Sequence, residues 1–217
     1  MFITIEAIDG AGKSTQARLL RQALTAAGHE VTLTREPGGS PGAEEIRHLL
    51  VSGAPDRWSE QTEILLFTAA RNDHLERTIL PALERGAVVI SDRYVDSTRV
   101  YQGMRGEHLR AVVDGLHGMI IKKDPDLTLI LDMDADEAWS RGRDRNAATD
   151  LDEDRMEKKG VAFQRGIRKG FLAIAAQDPG RCVVIDAVGS PEEVAARILD
   201  VVNLRLGAVP RSTVSCE

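Results

Sequence analysis

The stretch AIDGAGKST at residues 7–15 constrains the fold of this 217-residue chain more than any other feature. It follows FITIEAI (2–8), a short Ile-rich run typical of a buried strand, and it precedes helical periodicity from Lys13 to Ala27. A strand, a glycine loop and a helix in this order place free backbone N–H groups and the positive end of a helix dipole at the loop. The sequence therefore predicts a polyphosphate-binding loop, although Ala7 replaces the first glycine of G-x-x-x-x-G-K-[ST].

The individual loop residues have separable roles in binding a nucleotide. Gly10 and Gly12 allow the backbone to approach phosphates without a Cβ clash, and Lys13 would contact the β and γ phosphates. The hydroxyl of Ser14 would bind Mg²⁺. We expect Ala7 to have an ordinary negative φ at the strand end, where glycine is not required. The predicted ATP-binding set is Ala7, Ile8, Asp9, Gly10, Ala11, Gly12, Lys13, Ser14 and Thr15. A purely structural glycine turn is the alternative interpretation.

Asp9 is unusual inside such a loop because a carboxylate next to phosphates is repulsive. It must face a hydroxyl, a metal ion or water, or else act as a turn residue through local hydrogen bonds. The spacing leaves both interpretations open.

Charge and composition limit the classes of partner. A net charge of −6 argues against a general nucleic-acid binder, which needs a basic face. Two cysteines cannot form a disulfide framework, and Cys182 lies in the apolar run RCVVIDA, where we expect it to pack as a small hydrophobe. No apolar stretch approaches 18 residues and no signal-peptide pattern precedes the first strand. We therefore expect a cytoplasmic protein without a membrane or nucleic-acid partner.

Further apolar runs alternate with helical patterns, which is typical of βαβ units and a parallel sheet buried on both faces. Helical patterns follow at AEEIRHLL and from a Ser59 cap to Leu83, with Pro81 as a kink or restart. The chain length suits one domain at 1–207 followed by a frayed tail at 208–217. The additional predicted strands are 30–35, 87–91, 127–131 and 182–186.

The stretch ISDRYVDSTRVYQG (90–103) is a second functional candidate. An apolar strand that ends in Asp92 resembles an element whose strand-end carboxylate holds Mg²⁺. Arg93 follows at the carboxyl end of a parallel strand, where it suits bidentate contact with a phosphate or forms a surface ion pair. Asp132 and Asp134 in LILDMD are competing strand-end acids.

Two more segments allow alternative interpretations. Phe67 and Arg71 are four residues apart in EILLFTAARNDH and share one helix face, where an aromatic plane and a guanidinium can bind a base. Considered alone, Phe67 is better interpreted as a core residue. The charged segment 141–155 is, on composition, a solvated helix end and loop.

These stretches together resemble bacterial thymidylate kinases over about residues 2–200. The matching segments are IDGAGKSTQ, TREPGGSPGAEEIR, LLFTAAR, SDRYVDSTRVYQG and a basic segment followed by DEDRMEK. The resemblance implies a three-layer α/β P-loop kinase fold: a parallel five-stranded sheet flanked by helices, with a small mobile lid at 141–155, in a homodimer. It also implies Mg²⁺-dependent transfer of the γ-phosphoryl group of ATP to dTMP, the two small-molecule substrates.

The resemblance implies roles for residues at matching positions. Asp9 would contact the 3′-hydroxyl of the sugar or the metal, and Pro37 would follow a cis peptide bond. Thr98 occupies a base-contacting position where relatives often carry Ser or Asn. The substrate-binding set is Asp9, Pro37, Arg47 and Arg93 (acceptor phosphate), Phe67 and Arg71 (base), Thr98, Tyr101 (2′ position) and Gln102.

The resemblance also implies a source of catalytic charge. Some members carry an arginine in the loop where this chain has Ala11, so the positive charge for the transferring group must come from elsewhere. Arg145 is the first candidate, Arg143 the second, and Arg141 shares their segment. Lys13, Arg93, Arg145 and Arg143 form the predicted catalytic set, and the predicted metal ligands are Ser14, Asp92 and Asp9.

Two rival classes share part of this pattern. Another deoxynucleoside or nucleoside-monophosphate kinase would have the loop and the Asp-Arg pair without needing the Phe67, Arg71 and Tyr101 combination. A GTPase switch would need a guanine-reading N-K-x-D stretch, for which KKDPD at 122–126 is a faint counterpart.

Overall fold

The computed structural model describes residues 1–54, 56–147 and 160–208, with the side chains of 143–147 and 208 left out. Five parallel strands form one sheet in the order β2-β3-β1-β4-β5. The predicted parallel α/β sheet is confirmed. The strands are β1 (Phe2–Glu6), β2 (Val31–Arg35), β3 (Val88–Asp92), β4 (Leu127–Asp132) and β5 (Cys182–Asp186).

Helices cover the sheet on both faces. Successive strand residues point to opposite faces, and every residue of β1 is buried, so neither face of its centre is open. One buried cluster joins the strands to α1, α8 and α9, and a second joins β1 and β3 to α3, α4 and α6. The helices are α1 (Lys13–Ala26), α2 (Pro41–Val51), α3 (Glu60–His74), α4 (Leu80–Glu84), α5 (Val95–Tyr101), α6 (Glu107–Leu116), α7 (Ala135–Ala147), α8 (Gly160–Gln177) and α9 (Pro191–Ala208).

The predicted helix boundaries agree with local chemistry. After α1, Gly28 adopts the left-handed conformation (φ 88°) expected of a residue just beyond a helix end. The hydroxyl of Ser59 accepts the Thr62 N–H at 3.2 Å and caps α3, as predicted. A wider helical turn at Leu75–Ile79 joins α3 to α4, and Pro81 lies in the first turn of α4. Pro81 thus marks a restart.

Two sequence expectations about the strands were wrong. The first strand ends at Glu6 rather than at residue 8, because Ile5 already pairs with Asp92, the last residue of β3. The strands are also not all buried on two sides. β2 and β5 are the edges of the sheet and are partly exposed, whereas the three central strands are buried almost throughout.

The lid and tail fall mainly outside the described residues. The predicted lid at 141–155 begins as the last turns of α7, and its part from 148 onward lies outside the described residues. Ala208 still belongs to α9, and the remainder of the expected tail lies outside them too. Within the described ranges, no helix has both the length and the apolar character needed to cross a bilayer.

Candidate active site

A cleft of about 270 Å³ lies beyond the carboxyl ends of β1, β2 and β3, the edge at which open α/β sheets bind ligands. It brings together most of the predicted site residues, which come from six separate stretches of the chain. The predicted residues that line it are Asp9, Gly10, Lys13, Ser14, Pro37, Arg47, Phe67, Arg71, Asp92, Arg93, Thr98, Tyr101 and Gln102. Ala7, Ile8, Ala11, Gly12 and Thr15 belong to the loop and the start of α1 without lining the cleft.

The loop geometry fits the glycine pattern. Gly10 and Gly12 have φ values of 84° and 86°, which glycine adopts without penalty. A Cβ on Gly10 would also lie 1.9 Å from the carbonyl oxygen of Ala138 in α7, so this position excludes any side chain. Ala7 does not have positive φ, which confirms the expectation that glycine is not required there.

Lys13 begins α1 and folds back over the loop. Its Nζ donates to the carbonyl oxygen of Ile8 at 2.9 Å and lies 3.5 Å from Asp9 Oδ1. Burial, followed by the nearby Arg93 charge, lowers the pKa of Lys13 from its ordinary value. The ammonium is thus fixed against the phosphate loop, at the Ile8 carbonyl and Asp9.

Asp9 lies in the turn of the loop, and its carboxylate accepts hydrogen bonds from residues far away in the chain. Arg93 Nη2 donates to Oδ1, while Tyr101 Oη and Gln164 Nε2 each donate to Oδ2 at 3.2 Å. Burial alone would raise the pKa of Asp9, but the Arg93 and Lys13 charges outweigh it and hold the pKa at about 2. Asp9 is therefore ionised at neutral pH.

Ser14 and Asp92 meet at the other side of the loop. Ser14 Oγ donates to Asp92 Oδ2 at 2.5 Å, which joins the start of α1 to the end of β3. The competing acids do not reach this point. Asp132 is held by Arg168 Nε and Nη2 at 2.6 and 2.9 Å, and Asp134 accepts the N–H of Asp136 at the start of α7.

Arg93 is built into the cleft floor and is not a surface ion pair. Its backbone is left-handed (φ 70°), and its side chain is 18% exposed. Nη1 donates to the Ala7 carbonyl at 3.1 Å and to Ser97 Oγ at 3.0 Å, and Nη2 pairs with Asp9. The guanidinium is thereby held at the junction of the loop and the cleft.

Arg71 and Phe67 lie one helical turn apart on α3. Arg71 is buried, its Nε donates to Glu36 Oε2 at 2.8 Å, and its Nη2 donates to Thr98 Oγ1 at 2.9 Å. Phe67 is only partly buried and lines the cleft beside Arg71, so its interpretation as a core residue was wrong. An aromatic face and a fixed guanidinium thus share one wall.

The turn after β2 supplies another wall. The Glu36–Pro37 peptide bond is cis, which confirms the expectation for Pro37. Arg47 Nη1 donates to the Pro37 carbonyl at 2.9 Å, which ties α2 to this turn. At the opposite wall, Gln102 is almost fully buried, and its Nε2 donates to no described residue. Such a buried donor can bind a ligand oxygen.

Sequence reasoning missed several residues at the site. Glu36, Tyr94 and Ser97 line the cleft, as do Arg35, Leu50 and Val51. Gln164 reaches Asp9 from α8, 155 positions along the chain. Local signals existed for three of them: Glu36 lies in the turn-rich EPGG stretch, and Tyr94 and Ser97 lie within ISDRYVDSTRVYQG.

The predicted lid arginines are incompletely described. Arg141 Nη2 donates to Glu137 Oε1 at 2.7 Å on the exposed surface of α7. The side chains of Arg143 and Arg145 lie outside the described residues.

The sheet is parallel, its glycine loop ends in Lys-Ser at the start of a helix, and the serine donates a hydrogen bond to a carboxylate at a strand end. This combination is typical of P-loop kinases that phosphorylate small acceptors. The thymidylate kinase family model matches residues 5–198. The chain belongs to the thymidylate kinase family.

Relatives that align with more than nine-tenths of the chain are also thymidylate kinases. A thymidylate kinase of Ruegeria pomeroyi is 55% identical over 206 residues, covering 95% of this chain and 96% of that protein. One of Dinoroseobacter shibae is 56% identical over 197 residues, covering 91% and 93%. The crystal structure of thymidylate kinase from Ehrlichia chaffeensis superposes with a TM-score of 0.73 at 33% identity, covering 93% of this chain and 98% of that one.

Proposed function

We propose that this protein transfers the γ-phosphoryl group of ATP to dTMP, giving ADP and dTDP. The observation that carries the proposal is the continuity of the cleft, in which the loop residues Lys13 and Ser14 share one space with Phe67 and Arg71. A phosphate-binding loop and a base-sized wall in one cleft suit a nucleotide acceptor. Membership of the thymidylate kinase family selects thymine as the base.

The loop would hold the ATP phosphates through the N–H groups at the start of α1 and through Lys13. Ser14 Oγ and an Asp92 carboxylate oxygen are hard oxygen ligands of the kind that Mg²⁺ prefers, and they lie 2.5 Å apart. The residues present therefore fit a Mg²⁺ ion, with Asp9 as a further candidate ligand. Bound Mg²⁺ would neutralise charge on the β and γ phosphates.

The acceptor would lie across the remaining walls. Arg47 and Arg93 would hold its phosphate, and Phe67 would stack on thymine while Arg71 donates to its edge. Arg71 is well suited to this because Glu36 and Thr98 fix its orientation. Thr98 and Gln102 would contribute polar contacts, and Asp9 would accept the 3′-hydroxyl. Tyr101, which Asp9 also binds, would crowd the 2′ position.

Positioning and charge suffice for the transfer, so we propose no covalent intermediate. The acceptor phosphate oxygen attacks the γ-phosphorus and the bond to the β-phosphate oxygen breaks, with ADP as the leaving group. Arg93, at the floor of the cleft, and Lys13, in the phosphate loop, would neutralise negative charge on the transferring phosphoryl group. Arg145, with Arg143 as second candidate, would do so from a lid at 141–155 that excludes water.

The same proposal covers the assembly. We propose one kinase domain at 1–207 in the cytoplasm, in a homodimer. Three exposed apolar side chains support a buried interface: Leu65 (54% exposed) on α3, and Met119 (68%) and Ile120 (48%) on the wide helical turn His117–Ile121, which contacts α3. A molar mass near twice 23.7 kDa by light scattering would support the dimer, and a value near 23.7 kDa would contradict it.

A coupled ADP-release assay with dTMP, dUMP, dCMP and dAMP tests the function. We expect dTMP to accelerate ADP release most strongly. If another monophosphate were strongly preferred, the alternative of a different deoxynucleoside or nucleoside-monophosphate kinase would hold. If none accelerated ADP release over ATP alone, the proposal would fail.

A further inference from the structure

Glu6 is a buried carboxylate next to the phosphate loop that the proposed mechanism does not use. It ends β1, has no exposed surface, and does not line the cleft. Its Oε1 accepts the N–H groups of Tyr94 and Ser97 at 2.8 and 3.3 Å, and its Oε2 accepts the Ser97 hydroxyl at 2.6 Å. The donors belong to Tyr94, which follows Arg93, and to Ser97 in the first turn of α5.

The backbone of Arg93 needs such support. Its φ of 70° lies in the left-handed region, which residues other than glycine rarely adopt. Its N–H donates to the Ile5 carbonyl at 3.0 Å, and its carbonyl accepts Ser91 Oγ at 2.7 Å. Glu6 binds the next N–H, that of Tyr94, so the unusual conformation is fixed on both sides.

The side chain of Arg93 is tied to the same carboxylate through one hydroxyl. Arg93 Nη1 donates to Ser97 Oγ at 3.0 Å, and the Ser97 hydroxyl donates to Glu6. Because an ionised carboxylate only accepts hydrogen bonds, it directs the serine proton toward itself and leaves the serine lone pairs for Arg93. One of the hydrogen bonds that orient the guanidinium, beside those to Ala7 and Asp9, thus depends on Glu6.

We propose that Glu6 is a positioning residue for phosphoryl transfer, which holds the segment from Arg93 to the first turn of α5 and, through Ser97, helps to fix the Arg93 guanidinium in the cleft. This inference rests on the proposed function, in which Arg93 binds the acceptor phosphate. It concerns a residue that does not touch the substrates.

The charges around Glu6 make the proposed positioning role measurable as a pH dependence of turnover. Burial and the neighbouring Asp96 carboxylate of α5 raise the pKa of Glu6 to about 7. The other titratable groups that face it are Lys13 from α1, Arg93 after β3, and Cys182 from β5. Protonated Glu6 would offer its own proton to Ser97, so turnover should decline as the pH falls through neutrality.

The test compares Glu6→Gln with the unmodified enzyme. Glutamine keeps the volume and can accept the two N–H groups, but its amide reverses the bond to Ser97. At pH 8.5 we expect kcat/KM for dTMP to fall about tenfold and KM for ATP to stay within about twofold. We expect the unmodified enzyme to lose activity as the pH falls through 7 and the variant to lack this loss, and the Tm of the variant at pH 8.5 should not fall. An unchanged rate, or a lower Tm with an unchanged rate per folded molecule, would overturn the inference.

Two further variants sharpen the result. Asp96→Asn alters an equally buried carboxylate of α5 that pairs with Arg99 and Arg181 rather than with Arg93. It should keep kcat at pH 8.5 and move the loss of activity to lower pH. Ser97→Ala should lose about as much as Glu6→Gln, and the double variant should lose no more than either alone. Additive losses would contradict the relay.

The unmodified enzyme separates the two claims. If it does not phosphorylate dTMP, the proposed function fails, whereas turnover that is insensitive to Glu6→Gln refutes the positioning role alone.

Discussion

Ser14 Oγ donates a hydrogen bond to Asp92 Oδ2 at 2.5 Å, which joins the phosphate loop to the end of β3. If both oxygens bind Mg²⁺, Asp92→Asn replaces a charged ligand by a neutral one and weakens Mg²⁺ binding. The Mg²⁺ concentration for half-maximal activity should then rise at least about tenfold. A Mg²⁺ titration of the initial rate measures this. Asp132→Asn is the matched control, because Arg168 holds that strand-end acid instead. Equal Mg²⁺ requirements for the two variants would contradict the assignment.

Arg71 should determine the affinity for the base. Lysine has no planar guanidinium and cannot bind Glu36 and Thr98 at the same time. Each hydrogen bond that involves a charged group and is lost costs about 1.5–3 kcal/mol. We expect KM for dTMP to rise at least about tenfold with kcat less affected. Steady-state kinetics with Arg77→Lys as control check this, since the Arg77 side chain is 73% exposed. A normal KM for Arg71→Lys would exclude the role.

The ion pairs of Asp9 should make stability depend on pH in a defined direction. Its pKa of about 2 lies below the ordinary aspartate pKa of 3.8, so its stabilising contribution is present above pH 4 and is lost as the pH falls toward 2. Asp9→Asn should therefore lower the free energy of unfolding by about 2 kcal/mol at pH 7. Urea unfolding from pH 7 to pH 3 should show this difference narrowing. A difference independent of pH would contradict the ion pairs.

Arg145 should supply charge to the transferring group, because Ala11 cannot. We expect Arg145→Ala to lower kcat at least about a hundredfold with little change in KM for dTMP, and Arg143→Ala to have a smaller effect. Single-turnover kinetics would isolate the chemical step. Arg165→Ala is the control, since that arginine is exposed on α8 and pairs with Asp136. Near-normal turnover of Arg145→Ala would refute the assignment.

The sequence predicted the parts of the site that are local in the chain. The loop and its Lys-Ser pair are recognisable because a strand, a turn and a helix start follow each other within a few residues. The acid that ends β3 is recognisable because it directly follows an apolar run. The sheet order was not predicted in detail, since apolar runs do not distinguish edge strands from central ones when helices cover both faces.

The supporting contacts could not be predicted because they join distant segments. Gln164 reaches Asp9 across 155 positions, and Glu36 reaches Arg71 across 35. No spacing rule connects such pairs. Phe67 illustrates the same limit, since helical periodicity cannot tell whether an apolar face meets the core or an open cleft.

Phosphoryl transfer to thymidylate is tested most directly by following the γ-phosphoryl group of labelled ATP. With dTMP and Mg²⁺, the label should appear in the β-phosphate of dTDP, with one dTDP formed for each ADP. Release of the label as inorganic phosphate, or ADP formed without dTDP, would contradict the account.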